Sequence, residues 1–129
     1  MNIRPATKLA FQGDIFILQI DKLPENAVKI DKKLNGLDRE AFGYSPYNGL
    51  VLAQGESRQH FHAFKDVENV ELWHIPASDN QKERLYVVLK KPQALVHEEH
   101  DPIQREAGVH RFGFQYEETF EGDYRRVED

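Results

Sequence analysis

The sequence predicts an all-β fold, a jelly-roll-like barrel or sandwich, in one domain over residues 1–129. Three observations predict it. Apolar runs are strand-length and rich in β-branched and aromatic residues. Gly and Pro break the chain at short intervals. No stretch carries a long helical period.

The elements follow in order. Asp14-Ile15-Phe16-Ile17-Leu18-Gln19-Ile20, opened by Gly13, reads as a strand buried on both faces, and Leu23-Pro24 ends it. Ala27-Val28-Lys29-Ile30 reads either as a short strand or as loop. Residues 34–42 hold at most a helical turn or two, and residues 43–49, with Gly43, Pro46 and Gly49, read as a turn-rich connection. Leu50-Val51-Leu52-Ala53 is the next strand, broken by Gly55. Residues 60–65 follow, then Val70-Glu71-Leu72-Trp73-His74-Ile75, closed by Pro76. After a turn at Ser78-Asp79-Asn80, residues 85–89 form a strand that Pro92 interrupts. Residues 93–99 continue extended until Pro102. Residues 110–117 make the last long strand, and residues 124–127 offer a short final one.

Composition narrows the function classes. The 129 residues are 40% hydrophobic and 30% charged, a globular balance with enough chain for a core. Net charge is −5, which argues against non-specific nucleic-acid binding. Cysteine is absent, so disulfides, thiol nucleophiles and thiolate-ligated metals are excluded. Phe16-Ile17-Leu18 is too short for a signal-peptide core or a membrane span, so the expected location is cytoplasmic.

The informative feature is where the histidines fall. His60-Phe61-His62 lies in a strand-like stretch, and His97-Glu98-Glu99-His100 follows another. Residues two apart on a strand share a face and stand roughly 6.5–7 Å apart along it. Two imidazoles so placed can converge on one ion, with the second group completing the set. On a regular strand His97 and Glu99 would share one face, Glu98 and His100 the other. Both histidines reach one ion only if the chain bends there, as Pro102 just beyond encourages. The expected ligands are His60, His62, His97 and His100, with Glu99, Gln115 and Glu117 as additional site residues. Gln115 and Glu117 share a strand face with Arg111, while His110, Phe112, Phe114 and Tyr116 form the opposite, core-like face. A ligand set of imidazole and carboxylate suits a divalent zinc, iron, manganese or nickel ion. Isolated His74 and His110 read as partly buried rings satisfied by backbone.

In order along the chain stand Gly13-Asp14, Leu23-Pro24, Leu52-Ala53-Gln54-Gly55-Glu56, His60-Phe61-His62, His97-Glu98-Glu99-His100 and Arg126-Val127-Glu128-Asp129. With these motifs the chain resembles a group of small uncharacterised bacterial and phage-type proteins. The likeness covers most of the chain and implies no assigned activity. It departs at Ser57-Arg58-Gln59, before the first histidine pair, and after Gln115-Tyr116-Glu117, where no tyrosine follows. More loosely, a histidine pair two apart on a strand is similar to the first ligand motif of cupin barrels. The cupin glutamate after that pair has only Asp66 and Glu68 as candidates, both at imperfect spacing.

The leading functional expectation is a small metal-binding β protein, with catalysis at the ion left open. The alternatives are a metal-free module that binds a small polar ligand through the same cluster, and an interaction protein that pairs through an open sheet edge. A small molecule is the expected partner, with no nucleic acid and no membrane, and the composition is compatible with a homo-oligomer. Serine-triad, phosphate-loop and dinucleotide signatures are missing.

Overall fold

The computed structural model describes residues 7–30, 43–45, 49–54 and 60–115. Eleven strands run through them: β1 (Leu9–Gln12), β2 (Ile15–Ile20), β3 (Val28–Lys29), β4 (Gly43–Ser45), β5 (Gly49–Gln54), β6 (Phe61–Phe64), β7 (Val70–Ile75), β8 (Arg84–Leu89), β9 (Gln93–Leu95), β10 (Ile103–Arg105) and β11 (Gly108–Phe114). A 3-10 turn, Val67–Asn69, lies between β6 and β7. Among the described residues no helix is long and apolar enough to cross a membrane.

All pairings are antiparallel. Six strands form one sheet in the order β1-β2-β11-β8-β7-β3; β4-β5-β6 form a second and β10-β9 a third. Among the described residues none of these sheets closes into a barrel, so the barrel alternative gives way to open sheets. A bridge between Ala63 and Val96 joins the second and third sheets, with N–H···O distances of 2.9 Å in both directions.

Strand alternation places the core. Ile15 and Ile17 of β2 turn to one side and meet Leu50, Phe64, Leu72, Val87, Leu95 and Phe112, contributed by the six-stranded sheet and the smaller ones. Phe16 and Leu18 turn to the other side and pack on Leu9 and Phe11 of β1. β2 is thus buried on both faces, as its unbroken apolar run predicts. On β11 His110 and Phe112 are buried, and Arg111 lies instead over the Phe16 ring at 4.9 Å.

Three strands escape the sequence reading: β1, β4 and β10. Residues 43–45, expected as part of a turn-rich connection, pair with β5 through Gly43↔Val51 and Tyr44↔Leu50. Gly49 carries positive φ where this pairing meets the β4–β5 connection, and Gly43 carries it at the opposite end. The helical turns considered for residues 34–42, the strand considered for 124–127 and the position of Glu117 lie outside the described residues.

Candidate metal centre

The site grows from the β1–β2 hairpin. Its loop is two residues, Gly13-Asp14, because Gln12 pairs with Ile15. Gly13 takes φ +58, which glycine tolerates without strain. Alternation along β1 sends Leu9 and Phe11 outward and leaves Gln12 on the inner side, where it is 1% exposed. Its amide donates to Leu95 O at 2.9 Å and to Asp101 O at 3.0 Å. Two carbonyl acceptors fix which end of the amide is nitrogen. Gln12 Oε1 therefore faces His62 Nδ1, 2.8 Å away.

His62, on β6, shares the inner face with Phe64 and is 1% exposed. Because its Nδ1 must donate to Gln12, the neutral ring carries its lone pair on Nε2. Burial, and then the neighbouring His97, push its pKa down to about 4, against a smaller upward pull from Asp14. The ring is neutral at pH 7. Yet Nε2 faces Asp14 Oδ1 at 3.5 Å. With the proton on Nδ1, the Nε2 lone pair and the carboxylate oxygen face each other.

The second histidine group arrives through the Ala63–Val96 bridge. Beyond Val96 the chain bends over residues 98–100, which releases it from the strand pleat. That bend brings both His97 and His100 to His62, with ring centroids 4.4 and 6.2 Å from it. His97 and His100 are 4.6 Å apart, and His60 stands 5.7 Å from His97. All four histidines singled out in the sequence thus form one cluster from two chain segments.

Their roles differ. His60 Nδ1 lies against the Glu99 carboxylate, but without hydrogen-bond geometry between them. His97 Nδ1 instead accepts the Glu99 N–H at 3.0 Å, so Nε2 holds the proton. Burial, then His100, lower the His97 pKa. His100 Nε2 sits so close to the hairpin that a Cβ on Gly13 would come within 2.8 Å of it. Glu98 stays outside the ring cluster and accepts the Phe61 N–H at 2.9 Å. Burial alone would raise its pKa, but that bond holds it below the usual carboxylate range. Gln115 reaches the site indirectly, donating to Gly13 O at 2.7 Å and so clamping the hairpin.

Among the described residues, no three His, Asp or Glu side chains already stand in ion-holding geometry. The preformed pair is His62 with Asp14. Asp14 and Gln12 are the site residues that sequence reasoning missed. Asp14 had one signal, since Gly13-Asp14 opens the string of motifs that includes both histidine groups. The cupin-glutamate candidates lie elsewhere: Asp66 accepts from Asn69 Nδ2 at 2.6 Å within the 3-10 turn, and Glu68 is exposed. His74 pairs with Glu83 at 2.5 Å, and His110 is buried.

The model of a domain of unknown function, DUF8820, matches residues 11–115. The chain belongs to this family. The matched span begins one residue before Gln12 and ends at Gln115, so it holds every described residue of the cluster and its supports. Neither the curated proteins nor the solved structures yield a match.

Proposed function

We propose that this DUF8820 chain is a divalent-metal-binding β protein whose ion is held at the cluster of His60, His62, His97 and His100, His97 giving up the Glu99 N–H bond to ligate, with the hairpin carboxylate of Asp14 beside it. One observation carries the reading: the neutral His62 Nε2 lone pair faces Asp14 Oδ1 at 3.5 Å. Two acceptors at that separation repel unless a proton or a metal cation lies between them, and the low pKa of His62 favours the metal. Ligand atoms about 2.0–2.2 Å from a tetrahedral ion stand near this distance from each other. The supports behind the histidines fit the same reading. Gln12 orients the His62 ring through Nδ1, as outer partners of metal-bound histidine do. Nitrogen and oxygen donors favour zinc, iron, manganese or nickel over copper(I). An ion there would act as a Lewis acid or lower the pKa of bound water. A cupin-like relationship is supported by a histidine pair and later histidines meeting inside an antiparallel fold.

A second reading has its own observation. Because no three ligands are preset among the described residues, the cluster also suits a metal-free site where the histidines hydrogen-bond a small polar molecule. Elemental analysis of untagged, chelator-free protein separates the two. The metal reading expects about one equivalent of metal, lost in His62→Ala and retained in His74→Ala with both variants folded. A parent protein that takes up no zinc, iron, manganese or nickel on titration ends it.

A further inference from the structure

The histidine cluster offers more donors than one tetrahedral ion takes. His62 Nε2 and Asp14 Oδ1 face each other at 3.5 Å. His97 and His100, with rings 4.4 and 6.2 Å from that of His62, complete a four-coordinate set with them. His60 is then the spare donor, and it has a carboxylate of its own. Its Nδ1 is buried, lies against Glu99 Oε1 and makes no hydrogen bond. A ring nitrogen beside a carboxylate oxygen repeats the pairing of His62 with Asp14. The His60 ring stands 5.7 Å from His97, so this second pair borders the first set. The bend over residues 98–100 that brings in His97 and His100 also turns Glu99 onto His60.

The two pairs differ in their access to water. The His62 side chain is 1% exposed, whereas those of His60 and Glu99 are 26% and 63% exposed. We infer that the cluster takes a second divalent cation, bound by His60 Nδ1 and the Glu99 carboxylate and held more weakly than the first. The exposed Glu99 side chain swings back to admit it. With one imidazole and one carboxylate from the protein, this ion fills the rest of its shell with water. A first ion with four protein ligands is closed, and the second is the open one, the position that binding or hydrolysis of a substrate needs. The inference rests on the metal reading of the cluster and adds a second ion to it.

Equilibrium dialysis of metal-free, untagged protein against rising free zinc tests it, with metal and protein both counted. Uptake should level at about one equivalent and climb to about two at higher free zinc. Glu99→Gln should weaken the second step about tenfold or more and leave the first in place, since a lost ligand costs at least as much as a lost outer partner. His60→Ala should also lose the second step. Glu98→Gln should keep both steps, because Glu98 is engaged with the Phe61 N–H instead. With manganese as the probe, paramagnetic resonance lines broadened by a neighbouring ion should appear at the second step in the parent and not in Glu99→Gln. Thermal melting of the metal-free variants checks that each is folded. No zinc uptake at any concentration overturns both the inference and the metal reading. Uptake that stops at one equivalent overturns the inference alone. So does a second equivalent that survives in both Glu99→Gln and His60→Ala, which is an adventitious ion only.

Discussion

Two buried histidines, His62 and His110, look alike by every bulk measure. Each is at most 1% exposed, and each has its pKa pushed down to about 4, mainly by burial. They differ in what their second nitrogen meets. His110 Nε2 donates to Glu106 O at 2.9 Å, and its Nδ1 lies 3.3 Å from Arg105 Nη2, which donates to it. Both nitrogens are satisfied, and the ring is a strut in the core. His62 Nδ1 meets Gln12 Oε1, while Nε2 faces a side-chain carboxylate, that of Asp14, at 3.5 Å. Burial and a low pKa therefore do not distinguish the two rings; the partner at the second nitrogen does.

Removing the strut should have the largest effect. His110→Ala opens a cavity and leaves Arg105 Nη2 without its ring partner, beside Nε and Nη1 atoms that already lack one. Urea denaturation should show a loss of about 3 kcal/mol or more. Metal uptake by the folded fraction should be unchanged. A variant that kept its stability and lost metal would reverse the assignment of the two histidines.

Acid should act on the two rings together in metal-free protein. Above pH 6.5 both are neutral in the folded and unfolded chains, and they contribute no pH dependence. As pH falls from about 6.5 toward about 4, the unfolded chain takes up protons that the folded rings refuse, so stability falls. Each ring contributes up to about 1.4 kcal/mol per pH unit in that window, roughly 3 kcal/mol in all. Below about 4 the loss levels off. Denaturation curves at pH 8, 6 and 5 check the sign, and a stability that rose on acidification would contradict it. Saturating metal should flatten the His62 share and leave the His110 share.

Gln12→Met sharpens the contrast at the other nitrogen. It removes the acceptor at His62 Nδ1 while keeping the side chain's length. Metal affinity should fall about 10- to 100-fold, the usual cost of losing an outer partner of a ligating histidine. Competition titration with a chromogenic chelator measures it. An unchanged affinity would mean that Gln12 does not orient the ring.

The parts legible in the sequence are those whose cause is local. β2, β7, β8 and β11 carry apolar runs long enough to identify, and the His60/His62 pair is visible because a strand repeats every two residues. β1 is four residues long and separated from β2 by only Gly13-Asp14, so it merges into its neighbour's turn. β10 holds Gln104 and Arg105 in three residues, and Arg105 is buried against expectation for its type. Gln12 was illegible for another reason. Its partners His62, Leu95 and Asp101 are 50, 83 and 89 residues away, and no local pattern encodes such a meeting.

The Ala63–Val96 bridge has a mechanical consequence. It fastens the second sheet to the third, and its residues are the direct chain neighbours of His62 and His97. An ion shared by the two histidine groups would sit at the end of that seam like the slider of a zip, holding shut a loop of more than thirty residues. Its binding free energy would be spent on keeping two layers together as well as on ligation. In the ion's absence the seam should open before either sheet does. Hydrogen exchange at the Ala63 and Val96 amides would then read occupancy directly, with no substrate needed.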